Sequence, residues 1–439
     1  MAQRHQLAPC KGTPKQSGTP KQSRLESHSH IDHDLVIEIL LRLPVNSLER
    51  CQCVCKTWCN LISDSYFVMK HATRNSLNLK LLVSTDPPLS IDYEALKEHD
   101  HGHGLQIASS TQLAFDSLEL FPDRHLTIVG SCDGLICLRG PYGEYSDVLL
   151  WNPGTRKTNL LPKLSTCVQS WNFLHPWFYG FGYDSTTEDY KVILGQSSDQ
   201  GSTVINGFKR VSKKIAVFTL KTDSWRTDQE WRENPVTESV RLAGQGRLLN
   251  GALHWIELAF ERNRRNGRIN REACLDVSKS RIISFDLHDE KFQEIVSLSN
   301  FVEIECLGDI SAQDIFAGIG SSVEDCLVLF FYNRSHTGDI TLTIWVMKEY
   351  GVEQSWTKLI QIPSVTTLHT YQMCDREYII RFPVYILEGG EILMSCKDNE
   401  LVLYNPKRKT NSKFVLETIL SCEGVVYAET LISPGGRGA

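Results

Sequence analysis

Residues 34–62 read DLVIEILLRLPVNSLERCQCVCKTWCNLI, and this stretch decides how the chain begins to fold. Apolar side chains return along it at the spacing of one helix face, first at Leu35, Ile39, Leu40 and Leu43. Pro44 ends this first predicted helix, because proline lacks an N–H group and disfavours helical geometry in the residue before it.

Two further short helices are predicted after Pro44. One covers residues 47–53, with Asn46 as its N-cap. The next places one apolar face on Val54, Trp58, Leu61 and Ile62. Units below about 40 residues rarely stand unaided, because they cannot cover their own apolar surface. The stretch therefore predicts a partner that covers the rest.

The same residues resemble an F-box, the helical module that docks onto the Skp adaptor of cullin-based (SCF) ubiquitin ligases. The matching positions are Asp34-Leu35, Ile39-Leu40, Arg42-Leu43-Pro44-Val45, Ser47-Leu48, Arg50, Val54-Cys55-Lys56 and Trp58. The family usually opens with Leu-Pro where this sequence has Ile31-Asp32. The resemblance implies adaptor contacts at Leu35, Ile39, Leu40, Leu43, Pro44, Leu48, Val54, Lys56 and Trp58. It also implies cullin and RING subunits as partners reached through the adaptor.

Composition excludes several other classes of protein. The formal net charge of −6 argues against a general nucleic-acid binder, whose affinity comes mostly from neutralising phosphates. No run of about 18 apolar residues predicts a membrane span, and the first residues lack the apolar core of a signal peptide. The 14 scattered cysteines are then expected to be reduced thiols, in the cytoplasm and/or the nucleus.

The pattern divides the chain into four segments. Residues 1–30 are polar, contain GTPKQS twice in tandem, and are predicted to be a disordered tail. The F-box is predicted over 31–75. From residue 79 onward, β-branched and aromatic residues alternate with polar ones, which predicts β-strands to residue 432. Gly, Asp and Asn turns separate the strands, and the dipeptides Asp133-Gly134 and Asn250-Gly251 are predicted as tight turns. Residues 433–439 are expected to be a flexible tail.

Internal repeats indicate how those strands are arranged. Strand aromatics at Trp151, Phe218, Phe285, Trp345 and Tyr404 are spaced 67, 67, 60 and 59 residues apart. Each belongs to a hairpin that follows a more apolar hairpin, and two hairpins make a four-stranded propeller blade. Five blades are visible, and the C-terminal strand at 424–432 is predicted to close a sixth with the segment 79–83. We therefore predict an all-α helical module followed by an all-β propeller of about six blades.

The repeats also resemble a known family. The motifs GSCDGLICL, WNPGTRK, FYGFGYDSTTEDYKV, TDSWR, GALHW and IISFDL are similar to the F-box-associated domain of plant F-box proteins, a kelch-like propeller. S-locus F-box proteins and F-box proteins that regulate immunity share this layout. The resemblance implies that the propeller receives a target protein for ubiquitination and degradation.

Two inserts are candidates for target binding. The segment ERNRRNGRINR at 261–271 carries five arginines against one glutamate and is expected to be an irregular loop, with Arg264, Arg265 and Arg268 as candidates for an acidic target. A solvated loop is the simpler alternative. The segment VQSWNFLHPWFYGF at 168–181 is expected to expose aromatics, with Trp171 and Trp177 as candidate contacts.

The sequence carries no recognisable catalytic motif. The chain contains no HExxH, P-loop or GxSxG motif, and the cysteine run at residues 51–59 does not have the usual zinc spacing. We therefore expect a non-enzymatic receptor without a metal or cofactor. The alternatives are a propeller that binds partners without a ligase, and a propeller enzyme with its site at the central channel.

Overall fold

A computed structural model describes most of the chain, in the ranges 32–76, 78–84, 88–92, 106–107, 110–112, 126–140, 147–164, 177–198, 212–232, 239–242, 244–265, 268–301, 315–322, 326–334, 340–363, 385–387, 389–395, 400–415 and 424–435. The predicted tail at 1–30, and residues 436–439 of the other predicted tail, lie outside these ranges. The chain divides into two compact units, Met1–Arg42 and Leu43–Ala439. Within the described ranges, no helix is long and apolar enough to cross a bilayer.

The described chain opens with helices α1 (His33–Leu40), α2 (Val45–Gln52), α3 (Lys56–Ser63) and α4 (Ser65–Asn75). The first unit contains α1, and the second contains the other three. Aspartates begin two of the helices: the Asp32 carboxylate accepts a hydrogen bond of 3.2 Å from the Asp34 N–H, and the Asp64 carboxylate accepts one of 3.0 Å from the Tyr66 N–H. Such side chains satisfy N–H groups that have no partner inside the helix.

Two details of the predicted helices are wrong. Pro44 is the N-cap of α2, so Asn46 lies inside the helix rather than in front of it; proline is tolerated where no helical hydrogen bond is required of its nitrogen. Cys55 is extended, with φ −160°, and α3 begins only at Lys56. Val54 therefore lies in the turn before α3, and it does not share a helical face with the buried Ile62.

The remaining architecture is built from β-strands. The first four in the chain are β1 (Leu79–Val83), β2 (Leu89–Asp92), β3 (Gln106–Ile107) and β4 (Ser110–Gln112). Blade 1 contains β5 (Thr127–Cys132), β6 (Leu135–Arg139), β7 (Val148–Trp151) and β8 (Thr158–Leu160). Blade 2 contains β9 (Trp177–Asp184), β10 (Asp189–Ser198), β11 (Ser212–Thr219) and β12 (Ser224–Arg232). Two short strands follow, β13 (Ser239–Leu242) and β14 (Gly244–Gln245).

Three further groups of strands complete the list. Blade 3 contains β15 (Arg247–Leu249), β16 (Ala252–Arg265), β17 (Arg268–Asp286) and β18 (Phe292–Ser297). Blade 4 contains β19 (Ile315–Ser322), β20 (Leu327–Arg334), β21 (Ile340–Met347) and β22 (Trp356–Ile362). Blade 5 contains β23 (Tyr385–Ile386), β24 (Ile392–Ser395), β25 (Glu400–Asn405) and β26 (Thr410–Val415), and the last strand is β27 (Gly424–Ala428).

Blade 6 joins the two ends of the propeller sequence. Its strand order is β27-β1-β2-β4, with Val83 opposite Gly424 and Leu79 opposite Ala428. The predicted closure is confirmed, and so is the six-blade architecture. Pairing the two ends removes the exposed edges that an open array of strands would leave.

The aromatic repeat occupies one structural position. Trp151, Phe218, Phe285, Trp345 and Tyr404 all lie in the third strand of their blades. Neighbouring blades bury their apolar faces against each other: one cluster contains Val129 and Leu150 of blade 1 together with Phe181 and Phe218 of blade 2. This packing explains why the inner strands are apolar on both faces.

Candidate functional site

Helix α1 has an apolar face that the chain leaves uncovered. Leu35 and Ile39 are one helical turn apart and are 58% and 56% exposed, whereas Leu40 and Leu41 are buried. Burying a leucine or isoleucine side chain contributes about 1.5–3 kcal/mol, so both residues gain free energy when a partner covers them. The exposed pair is therefore a candidate docking surface.

The predicted adaptor residues in the second unit differ in exposure. Val54 is 65% exposed, Pro44 and Lys56 are exposed, and Leu43 and Trp58 are half-buried. Leu48 is fully buried in the chain itself, as Leu40 is in the other unit. Direct contact with a partner therefore stays a prediction for seven of the nine residues. At Leu40 and Leu48 a substitution acts first on the fold of the helices.

His71 holds α4 to the segment before α2, and the sequence analysis missed it. Its side chain is fully buried, and Nε2 lies 2.9 Å from the Leu43 carbonyl oxygen. Because a carbonyl only accepts, Nε2 carries the proton and donates it. The Asn75 amide nitrogen lies 2.9 Å from Nε2 and 3.3 Å from Nδ1, and Nδ1 is the ring nitrogen able to accept from it. Burial lowers the pKa of His71, which keeps the ring neutral. The sequence does not indicate this contact, because a single histidine in a helical pattern does not show which residue it bonds.

The predicted target-binding aromatics are not brought to the surface. Trp171 lies outside the described residues. Trp177 opens β9 and is only 8% exposed, with its ring 5.0 Å from the Arg139 guanidinium carbon of blade 1. The prediction that Trp177 is an exposed contact is wrong, because the segment from residue 177 is already the inner strand of blade 2.

The arginine-rich insert is a hairpin and not the irregular loop that was predicted. The β16–β17 ladder continues beyond the blade, with Phe260 opposite Leu275, Arg264 opposite Ile269 and Arg265 opposite Arg268. Strand β13 pairs with the base of this extension along residues 257–260. The ladder satisfies backbone groups that a free loop would leave to water, which is why the segment is regular despite its charge. We call residues 260–275 the arginine hairpin.

The topology gives the propeller two different faces. In blades 1–3 the turns between strands one and two and between strands three and four emerge on one face. Chain segment 76–79 joins α4 to the second strand of blade 6 on that same face, which we call the helix face. The opposite face, which we call the far face, is the one on which the ladder of the arginine hairpin extends beyond blade 3.

Tight turns characterise the helix face. Asp133 and Gly134 have φ of 52° and 79°, and Asn250 and Gly251 have φ of 49° and 74°. Both dipeptides were predicted as turns from sequence, and their left-handed geometry is what two-residue hairpins need.

Within the described residues, no group of three or more His, Cys, Asp or Glu side chains is placed to hold a metal ion.

Comparison with known proteins agrees with both parts of the structure. A family model described as the F-box associated beta propeller domain matches residues 94–422, about three quarters of the chain, and the F-box domain matches residues 29–70. The chain belongs to the F-box proteins with an F-box-associated propeller. Helices α1–α4 are accordingly its F-box helices, and the α1 face described above is an F-box surface.

Curated relatives come from Arabidopsis thaliana and share the full layout. F-box/kelch-repeat protein At3g23880 is 27% identical over 91% of this chain and 95% of its own. F-box protein At3g07870 is 26% identical over 93% of this chain and 92% of its own, and F-box protein CPR1 is 27% identical over 92% and 88%. This chain is thus similar to plant F-box proteins across both the F-box and the propeller.

Proposed function

We propose that this chain is the substrate receptor of an SCF-type ubiquitin ligase. The F-box helices hold a Skp-family adaptor, which connects to cullin and RING subunits, and the propeller holds a target protein. The observation that supports this most directly is the uncovered face of α1, because Leu35 and Ile39 are exposed in a helix that the F-box family model matches. F-box relatives that span the propeller support the receptor role.

In this proposal the chain supplies no reacting group. Its effect is proximity: a target lysine held beside a charged conjugating enzyme reacts at a high effective concentration. The cytoplasm or the nucleus is the proposed location. The described cysteines are free thiols, which suits a reducing compartment.

The adaptor role is tested with the full-length chain and a purified plant Skp-type adaptor. Ile39→Asp should abolish co-purification, because it places a charge in the apolar interface. The matched control is Leu359→Asp in β22, where the wild-type side chain is 50% exposed, close to the 56% of Ile39. Both variants should fold, and the control should bind like the wild type. Failure of the wild type to bind would leave a propeller that works without a ligase.

We place the target on the far face of the propeller. Helices α2–α4 join the propeller on its helix face, whereas the arginine hairpin extends on the far face. Arg264, Arg265 and Arg268 suit an acidic segment of the target, since arginine pairs carboxylates through two parallel hydrogen bonds. The chain has a net charge of −6, so this basic hairpin stands out against an acidic whole.

This assignment is tested with a labelled polyglutamate peptide in fluorescence anisotropy. The wild type should bind weakly, with an affinity that falls as salt is added. A variant with Arg264→Glu and Arg268→Glu should lose binding, whereas Lys348→Glu and Lys358→Glu in blade 4 should keep it. Equal binding by both double variants would remove the hairpin from the site.

A further inference from the structure

The chain does not leave the propeller after its last strand. Residues 429–435, which we call the strap, cross the helix face of blade 1 from its innermost turn to its outermost strand. Thr430 donates its hydroxyl to the Asp133 carbonyl at 2.8 Å, next to the first turn of the blade. Asn159 of β8 donates to the Pro434 carbonyl at 3.2 Å. The strap is therefore attached at both sides of the blade.

Asn152, in the outer turn of blade 1, fixes the middle of the strap. Its amide nitrogen donates to the Thr430 carbonyl at 3.0 Å and to the Ile432 carbonyl at 2.7 Å. Its amide oxygen accepts from the N–H groups of Gly154 and Thr155, at 2.9 and 3.1 Å. An asparagine has two donor hydrogens and two acceptor sites, and this buried side chain uses all four. One residue thus shapes the turn and binds the strap.

Helices α2 and α4 pack against the same part of blade 1 and the strap. A Cβ atom at Gly154 would lie 3.3 Å from the Val45 side chain of α2 and 3.4 Å from Cβ of Glu429 in the strap. Val68 and Ala72 of α4 pack against the apolar cluster that contains Ile432 of the strap. The turn of blade 1, the strap and helices α2 and α4 therefore meet in one junction.

We propose that the strap and Asn152 set the orientation of F-box helices α2–α4 on the propeller. This inference rests on the proposed receptor function, in which the adaptor end and the target end must stand at a fixed separation. A flexible joint would spread the target over a larger volume and lower its effective concentration at the ligase. Asn152 is a positioning residue, because it touches neither the adaptor nor the target in this scheme.

The chain supplies a matched control in blade 5. Asn405-Pro406 occupies the same turn as Asn152-Pro153, and the Asn405 amide oxygen accepts from the Arg408 N–H at 3.0 Å. Among the described residues, Asn405 has no hydrogen bond to the strap. Substitution by aspartate keeps the oxygen that caps each turn and removes the two donor hydrogens. Only at residue 152 does that change leave two strap carbonyls without their partner.

The test measures the distance between α4 and the propeller in the full-length chain. Fluorophores are placed through non-canonical amino acids at Tyr66 of α4 and Leu359 of blade 4, both exposed. Asn152→Asp should broaden a narrow distance distribution and raise amide exchange in α4 at least about tenfold, with the strands of blades 2–5 unchanged. Asn405→Asp should change neither quantity. An unchanged distribution in Asn152→Asp, or faster exchange throughout the propeller, would overturn the proposal.

A second variant covers the case in which Asn152→Asp does not fold. A chain ending at Glu429 keeps β27, and hence the closure of blade 6, but lacks the rest of the strap. It should fold with a mobile α4; a narrow distance distribution, or loss of the propeller, contradicts the proposal. Adaptor binding is measured on the same proteins. If the wild-type protein does not bind the adaptor, the proposed receptor function is wrong, but the distance measurement still tests the role of the strap.

Discussion

Arg247 in blade 3 donates a hydrogen bond of 3.2 Å to the hydroxyl oxygen of Tyr385 in blade 5, past the blade that lies between them. Both side chains are buried, and the guanidinium carbon also lies 5.6 Å from the centre of the tyrosine ring. The Tyr385 hydroxyl in turn donates to the Gly424 carbonyl of blade 6 at 3.1 Å. Burial raises the pKa of Tyr385, so the hydroxyl keeps the proton that this bond needs. The inner strands of three blades are joined in this way.

Removing that hydroxyl should destabilise the propeller. Tyr385→Phe leaves a buried guanidinium hydrogen and a buried carbonyl without their partner, which typically costs about 1–3 kcal/mol of the free energy of unfolding. Denaturant unfolding measures the change. Tyr66→Phe is the control. Tyr66 is 73% exposed and its hydroxyl is hydrated, so this substitution should leave the free energy of unfolding almost unchanged. Equal stability of the two variants would show that the hydroxyl of Tyr385 contributes nothing.

His254 should make the propeller less stable in mild acid. Burial lowers the pKa of His254 to about 4; its Nδ1 donates to the Arg247 carbonyl at 3.1 Å and its Nε2 accepts from the Tyr350 hydroxyl at 2.9 Å. The unfolded chain protonates near pH 6.5, so it takes up the proton first as the pH falls. The contribution of this ring is complete above pH 6.5 and is lost between pH 6.5 and 4.

That pH dependence is measured against a variant that cannot titrate. From pH 7 to pH 5 the wild type should lose about 2 kcal/mol more of its free energy of unfolding than His254→Gln. Other groups titrate equally in both proteins, including His71, whose pKa burial also lowers. Parallel curves for the two proteins would mean that His254 remains accessible to protons in the fold.

The sequence predicted the parts of the fold that repeat. The aromatic spacing identified the third strand of five of the six blades. Asp133-Gly134 predicted a turn, because few residue pairs adopt its geometry. The arginine hairpin was misjudged, because charged residues suggest a loop and the ladder that orders them is set by pairing between distant residues. Trp177 was misjudged for a similar reason: its neighbour Arg139 comes from another blade.

The candidate site was predictable in outline only. The helical spacing of Leu35, Ile39 and Leu40 showed that α1 has an apolar side, but three apolar residues within one and a half turns do not indicate which of them faces the core. Exposure of Leu35 and burial of Leu40 come from tertiary packing. The strap was predicted wrongly: residues 429–432 do not continue the last strand, and residues 433–435 are held against blade 1 and are not a free tail. The sequence does not show this, because the contacts join residues almost 300 positions apart.

Substitutions on the two sides of α1 should separate folding from binding. Leu40→Ala should cost about 2–5 kcal/mol of stability, because it deletes a buried side chain and leaves a cavity. Leu35→Ala should change stability little, because its side chain is largely exposed, yet it should weaken adaptor binding about tenfold or more. Thermal unfolding and adaptor titration on both variants give the comparison. A Leu35 variant that binds normally would place the adaptor contact elsewhere.

The N-cap of α1 offers a test of the departure from the usual Leu-Pro opening. Asp32 stands where the family has proline, and its carboxylate caps the helix through the Asp34 N–H at 3.2 Å. Asp32→Ala should therefore destabilise α1 by about 0.5–2 kcal/mol. Asp32→Pro should cost less than alanine, because the φ of −53° at this residue is one that proline adopts and proline restricts the unfolded chain. Amide exchange across residues 33–40 in the three proteins measures the order, and a proline variant that exchanges faster than the alanine variant would contradict it.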